Sequence, residues 1–259
     1  MAPLAAAGWS ALFFLLAPMA LGIVDAFSPG AARDLVNHGA CVVLAASVTI
    51  FAIARVHAPE ESLRDTIGLR SIAPLQALFS IVAGVGLYPA LAAVDRLVLT
   101  RFPYSDDERE AIATLSRVPT TSARVAFVMV GMVVVPMAFE VLFRGALFGE
   151  LERAVPARLA AVVTAFCFAA SQGDPRGLPT AFVLGLAMAR LRQATGTVVA
   201  AVLGAVAFEA VEGIPILRGA DPLVDITVPP RWIIGGALAA CVALVAIGLT
   251  RKGSADAEG

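Results

Sequence analysis

Long apolar runs separated by short polar segments dominate the hydrophobic pattern of this chain. A helix that crosses the ~30 Å hydrocarbon core of a bilayer needs about twenty consecutive apolar residues, and windows of that length recur along most of the sequence. The pattern therefore predicts an all-α fold, a polytopic membrane helix bundle with about eight transmembrane helices. The expected spans are residues 8–27, 35–56, 73–95, 122–148, 157–172, 177–192, 196–213 and 232–250.

The polar segments between the spans predict the remaining organisation. Residues 57–71 are charged enough for an interfacial helix or loop, and residues 106–117 predict an amphipathic surface helix that Ser105 caps. Residues 1–250 form one expected integral-membrane domain, and residues 251–259 form a polar tail expected to be disordered.

An even number of spans places both termini on the same side of the membrane. The Lys/Arg counts on the two sides are equal, so the positive-inside rule gives no orientation. Arg251 and Lys252 directly follow the last span and favour cytoplasmic termini. We expect an integral protein of a prokaryotic cytoplasmic (inner) membrane.

Composition excludes several classes of protein. Hydrophobic residues make up 59% of the chain and charged residues 15%, which is too apolar for a soluble protein. The net charge of −1 gives no reason to expect a nucleic-acid partner. Three isolated cysteines and two histidines, His38 and His57, provide neither a disulfide framework nor a metal motif. We expect no cofactor and no metal.

Ionisable residues at membrane depth are costly and therefore informative. Glu140 and Arg144 are four residues apart in the fourth span and stack on one helix face. One interpretation is that they only neutralise each other inside the bundle. Asp95 is expected in the interface at the end of the third span, and Gly185 and Ala189 predict close helix contact.

Three segments carry a family resemblance. Residues 139–151, FEVLFRGALFGEL, resemble the E-E-x-x-x-R motif of the CPBP family, the CAAX proteases and bacteriocin-processing membrane proteins. Residues 63–71 resemble the polar segment that precedes it in the family, and residues 177–203 resemble the family's G-x-x-x-G and T-G-S-L-W run. The resemblance covers residues 60–212. It implies a CAAX-protease-like core. The active members of that family cleave peptide bonds by a glutamate and histidine mechanism that needs no metal.

The chain departs from the family motifs at the catalytic positions. Phe139 stands at the first motif glutamate, which leaves Glu140 and Arg144 as the retained motif residues. Gln172 and Ala205 stand at the two histidine positions, and Glu209 stands at the Asn/Asp position. Phenylalanine and alanine transfer no proton and glutamine does not titrate near neutral pH, so the motifs indicate a pseudoprotease.

The sequence leaves three candidate functions. The first is a catalytically degenerate homologue that contacts membrane lipid and binds a hydrophobic or lipidated peptide or another membrane protein. The second is an active CAAX-type endopeptidase that uses Glu140 with Glu209 or Glu212. The third is a small transporter or channel, which no paired half-repeat supports. A cation site of Glu209 and Glu212 is a further, weaker alternative.

Overall fold

The computed structural model of the protein describes residues 1–31, 34–115, 118, 120–219 and 228–255. Its regular secondary structure over these ranges is helical, which confirms the predicted all-α class. The helices are α1 (Pro3–Phe27), α2 (Leu35–His57), α3 (Leu63–Thr66), α4 (Pro74–Arg101), α5 (Asp106–Leu115), α6 (Thr121–Glu152), α7 (Ala157–Ser171), α8 (Leu178–Thr195), α9 (Val198–Leu217) and α10 (Pro230–Ala255).

Six of these helices, α1, α2, α4, α6, α9 and α10, are long and apolar enough to cross a membrane. The sequence predicted about eight spans, but α7 and α8 are not among these six candidates, and both bury much of their surface against neighbouring helices. Large apolar side chains face outwards elsewhere, as on α10, where Leu238, Val242 and Val245 are each more than 60% exposed. Such exposed apolar stripes indicate contact with lipid, so the chain is an integral membrane protein.

Contacts at the two ends of the bundle show how its helices run. At one end of the bundle the amino group of Met1 donates to the Glu150 carbonyl (3.0 Å), and Gln76 approaches Thr250 (3.4 Å). At the other end the hydroxyl of Tyr104 donates to Asp174 (3.0 Å). The beginning of α1 and the end of the last span therefore lie at the same end, as the even number of spans predicts.

Two large apolar clusters, and a smaller one of Val128, Met132 and Ile216, hold the described part of the bundle together. Helices α1, α2, α6 and α7 share the first cluster, which includes Phe13, Ile53 and Phe143. Helices α4, α8, α9 and α10 share the second, which includes Met188 and Ala205. Helix α8 contacts both α7 and α9 and so joins the two halves.

Small residues allow the helices to approach closely. A Cβ atom built on Gly86 of α4 would lie 2.7 Å from the carbonyl oxygen of Gly236 on α10, and the reverse contact is also 2.7 Å. Only glycine fits at this crossing, because any larger side chain would force the two backbones apart.

Several boundaries differ from the sequence predictions. Helix α4 runs to Arg101, beyond the predicted end at residue 95, because apolar residues continue after Asp95. The surface helix predicted over 106–117 is present as α5, and residues 116 and 117 lie outside the described part of the chain. The polar tail was predicted to begin at residue 251, whereas α10 runs to Ala255, and residues 256–259 are not described.

Candidate functional site

Helix α6 carries a buried ion pair. Glu140 and Arg144 are 1% and 0% exposed, and Arg144 Nε lies 3.4 Å from Glu140 Oε2. Both side chains point into the bundle, as predicted. None of the three guanidinium nitrogens has a hydrogen-bond partner within the described residues. Charge attraction without a hydrogen bond therefore joins the two side chains, and it offsets only part of the cost of taking both ions out of water.

Aromatic rings surround this ion pair. The Arg144 guanidinium carbon lies 4.5 Å from the centre of the Phe168 ring on α7 and 6.0 Å from that of Phe143. Phe139, at the first motif glutamate position, lies in the same ring cluster, with centroids 5.6 Å from Phe13 and 5.8 Å from Phe168. The position therefore holds an apolar contact between α1, α6 and α7.

Helix α8 closes over the arginine at a glycine. A Cβ atom on Gly185 would lie 2.6 Å from Arg144 Nη2 and 3.0 Å from the Cα atom of Ala165. This contact explains why a small residue is required at position 185, and it agrees with the close helix contact predicted from the Gly185 and Ala189 spacing.

A cavity of about 410 Å³ lies at the end of the bundle opposite the termini. Volumes of this size are typical of small-ligand sites. Gln172, directly after α7, and Glu209, on α9, both line it, so the fold brings two of the substituted motif positions together. Glu140, Arg144 and Ala205 are not among the lining residues. Phe168 lines the cavity and also contacts Arg144, and so joins it to the buried pair.

Ala205 lies one helical turn before Glu209 and is 4% exposed. Its neighbours belong to the apolar cluster of α4, α8, α9 and α10. Glu212 lies one turn after Glu209, within electrostatic reach of Glu209 and Asp95, and it does not line the cavity. Arg144 is paired with Glu140, and neither Glu209 nor Glu212 forms an ion pair with it in the described part of the chain.

Several cavity residues were missed by the sequence interpretation. Asp95, which was expected in the interface, lines the cavity and accepts a 2.7 Å hydrogen bond from Thr180 Oγ1. Tyr104, Asp174 and Arg176 also line it, and they come from connecting segments. The charge of Asp95 within an otherwise apolar stretch was the one signal available in the sequence.

Arg176 fastens one wall of the cavity. Its two terminal nitrogens donate to the two carboxylate oxygens of Glu108 (3.1 and 3.0 Å), and its Nε donates to the carbonyl of Phe102 (3.0 Å). Its guanidinium also lies 4.5 Å from the Tyr104 ring centre. We call these contacts, together with the Tyr104 to Asp174 hydrogen bond, the latch.

The latch begins at the start of α5. The backbone N–H of Ser105 donates to Glu108 (2.8 Å) and that of Glu108 to Ser105 Oγ (3.3 Å), which forms the predicted Ser105 cap as a capping box. The Ser105 N–H, and then Arg176, lower the pKa of Glu108 to about 2. Burial, and next the hydrogen bond to Asp174, raise the pKa of Tyr104. Glu108 is therefore ionised and Tyr104 is protonated at neutral pH, which are the states that the latch hydrogen bonds need.

No site for a metal ion is apparent. Groups of three or more His, Cys, Asp or Glu side chains with suitable geometry do not occur within the described residues. The histidines are also remote, since both belong to α2, which does not line the cavity. His57 Nε2 accepts a 2.9 Å hydrogen bond from the Trp9 indole.

Comparison with known proteins identifies part of the chain. Residues 121–211 match the family described as type II CAAX prenyl endopeptidase Rce1-like. This segment runs from the start of α6 into α9, contains all the motif positions from Phe139 to Glu209, and confirms the CAAX-protease family resemblance. Searches of curated proteins and of solved structures gave no match.

Proposed function

We propose that this chain is a catalytically degenerate CAAX-protease-type membrane protein that binds hydrophobic or lipidated peptides in the cavity at Gln172 and Glu209. One observation carries the proposal. The cavity keeps two of the substituted motif positions, while the other two, Phe139 and Ala205, are built into apolar contacts. The fold thus retains a space for a ligand where the residues that would activate water are replaced.

Peptide hydrolysis needs a base that takes the proton of water and donors that stabilise the oxyanion. Phe139 and Ala205 supply neither, and Gln172 can only position a polar group. Loss of one such donor lowers a rate by about 10²–10³-fold, and loss of the base lowers it further. The combined substitutions leave negligible family chemistry.

The cavity walls suit an apolar ligand with polar anchors. Leu99, Leu184 and Phe208 provide apolar surface, and Gln172 and Thr180 provide hydrogen-bonding groups. Because the cavity lies at the end opposite the termini, cytoplasmic termini would place it on the non-cytoplasmic side. We include this orientation, in the inner membrane of a prokaryote, in the proposal.

A second candidate is an active endopeptidase that uses Glu140 with Glu209 or Glu212. The observation that favours it is the presence of Glu209 in the cavity next to a second carboxylate on the same helix. This mechanism would require Glu140 to reach the cavity past Phe168, which lies against its partner Arg144.

Binding is tested with a photo-crosslinkable lipidated peptide and the protein in nanodiscs. Leu99→Trp fills the cavity from α4, and Leu97→Trp makes the same change two residues away at a position that is 62% exposed on the bundle surface. We expect crosslinking to fall in Leu99→Trp and to persist in Leu97→Trp. Equal crosslinking in both variants would contradict binding in the cavity.

Activity is tested with the same preparation. We expect no cleavage of lipidated or transmembrane peptides. Cleavage by the wild type would overturn the degenerate assignment. Its loss in a Glu209→Gln or Glu212→Gln variant that remains folded would support the two-glutamate alternative.

A further inference from the structure

The cavity carries an excess of negative charge. Asp95, Asp174 and Glu209 line it, against one cation, Arg176. Arg176 already forms an ion pair, because both of its terminal nitrogens donate to Glu108, which does not line the cavity. The cavity therefore has a formal charge of −2 from its own lining, with no uncommitted cation to balance it.

The three carboxylates differ in the hydrogen bonds that they accept from the protein. Asp95 accepts from Thr180, and Asp174 accepts from Tyr104 and contacts Arg176 (3.4 Å). Glu209 receives no hydrogen bond from any described residue, and the charges that reach it include that of Glu212 on the same helix. Two carboxylates one helical turn apart repel each other. A cationic ligand would therefore stabilise Glu209 more than the two carboxylates that already accept hydrogen bonds.

Aromatic surface accompanies this charge. Tyr104, Phe168 and Phe208 line the cavity, and Tyr88 packs edge-on against Phe208 with ring centres 5.5 Å apart. Aromatic faces attract cations through the ring quadrupole, and they do so more strongly for organic cations that shed their water easily. Two of these rings already stack a guanidinium of the protein, Tyr104 with Arg176 and Phe168 with Arg144.

The arrangement distinguishes an organic cation from a metal ion. A bare Mg²⁺ or Ca²⁺ needs several oxygens around one point, and no acidic group of the described chain meets that geometry. Asp95, Asp174 and Glu209 come from three separate segments, which are α4, the connection after α7, and α9. Carboxylates that share one cavity with aromatic and leucine side chains match a single charge carried on an apolar body.

We propose that this cavity binds an alkylammonium group, in which Glu209 and Asp95 hold the cation and Phe208 and Leu184 contact its alkyl chain. The inference rests on the proposed function and deepens it by assigning a positive charge to the bound ligand. The group has two sources, the lysine side chain of an apolar peptide and a free amphiphilic amine, and the experiment separates them.

The test uses the full chain in nanodiscs of uncharged phosphatidylcholine, with affinity measured by thermophoresis. One arm compares an apolar peptide of about twenty residues that carries a central lysine with the same peptide carrying norleucine. The other arm compares hexylammonium with hexanol. The variants are Glu209→Gln and Asp95→Asn, which keep side-chain size, and Glu110→Gln on the exposed face of α5 is the control.

We expect at least one cationic probe to bind about tenfold more tightly than its uncharged counterpart. Glu209→Gln should remove that preference and Glu110→Gln should retain it. The arm that shows the preference identifies the source of the amine. A melting profile for each variant shows whether the protein remains folded.

The remaining outcomes overturn one proposal or the other. Equal binding of the lysine and norleucine peptides, with no preference for hexylammonium, overturns the cationic ligand and leaves peptide binding intact. Hexylammonium binding without peptide binding overturns the proposed function and supports the cationic ligand. Binding of none of the four probes overturns both. A charge preference that survives in Glu209→Gln and in Asp95→Asn overturns the assignment of the cation to this cavity.

Discussion

The guanidinium of Arg144 lies 4.5 Å from the centre of the Phe168 ring, and the same ring lines the cavity. One aromatic side chain therefore contacts both the buried ion pair and the cavity. Arg144 is fully buried, and its nitrogens have no hydrogen-bond partner among the described residues, so the ring and Glu140 are the contacts that offset its charge. A ligand that moves Phe168 would expose the arginine to the cavity.

The buried pair predicts a non-additive response to mutation. Glu140→Leu or Arg144→Met alone leaves one charge uncompensated in the bundle and should cost about 3–5 kcal/mol of stability. The double variant removes both charges and should be close to the wild type or more stable. Heating in detergent followed by size-exclusion chromatography measures the three variants, and costs that simply add would contradict the pair.

Gly185 predicts a steric effect that opposes helix propensity. Alanine favours a helix over glycine by about 1 kcal/mol, yet a Cβ atom at position 185 meets Arg144 and the Ala165 backbone. Gly185→Ala should therefore lower the melting temperature. Gly235→Ala on α10, where nothing lies within 4 Å of the added atom, is the matched control and should be neutral or stabilising. Equal effects of the two substitutions would contradict the close contact.

The latch predicts a pH dependence with a defined direction. The pKa of Glu108 falls from its ordinary 4.5 to about 2 in the folded protein. Its contribution to stability is therefore complete above pH 4.5 and is lost as the pH falls from 4.5 to 2. A ¹³C NMR titration of labelled glutamate should show a carboxyl with a midpoint near 2 that is absent in Glu108→Gln.

The same titration separates the two causes of this shift. Arg176→Gln should raise the Glu108 midpoint but leave it below 4.5, because the Ser105 N–H is the larger cause. A midpoint that returns fully to 4.5 would show that the ion pair alone holds the carboxylate.

Restoring the family residues should succeed at some positions and fail at others. Gln172→His and Glu209→Asn replace residues that line the cavity, so each should change stability by no more than about 0.5 kcal/mol. Phe139→Glu places a carboxylate among aromatic rings and should cost roughly 3 kcal/mol or more. Ala205 is 4% exposed, so Ala205→His places a larger side chain in a packed position and should also lower stability. Melting temperatures of the four single variants test this order.

The sequence alone determined the features that depend on residues close together along the chain. Runs of apolar residues specify membrane helices because the backbone must satisfy its hydrogen bonds within the bilayer. The Ser105 cap and the facing of Glu140 and Arg144 follow from spacings of three and four residues on one helix. The motif order also predicted the family resemblance, which the match over residues 121–211 confirms.

Only the tertiary structure decided where the cavity lies and which charges it contains. Asp95, Tyr104, Asp174 and Glu209 are far apart in the sequence and meet because α4, α7, α8 and α9 converge at one end of the bundle. Hydropathy placed Asp95 at the end of the third span and gave no sign of the cavity, because helix ends cannot be read closely from hydropathy and α4 extends beyond this residue. Likewise, the surroundings of Phe139 and Ala205 depend on side-chain contacts between separate helices, which no local pattern specifies.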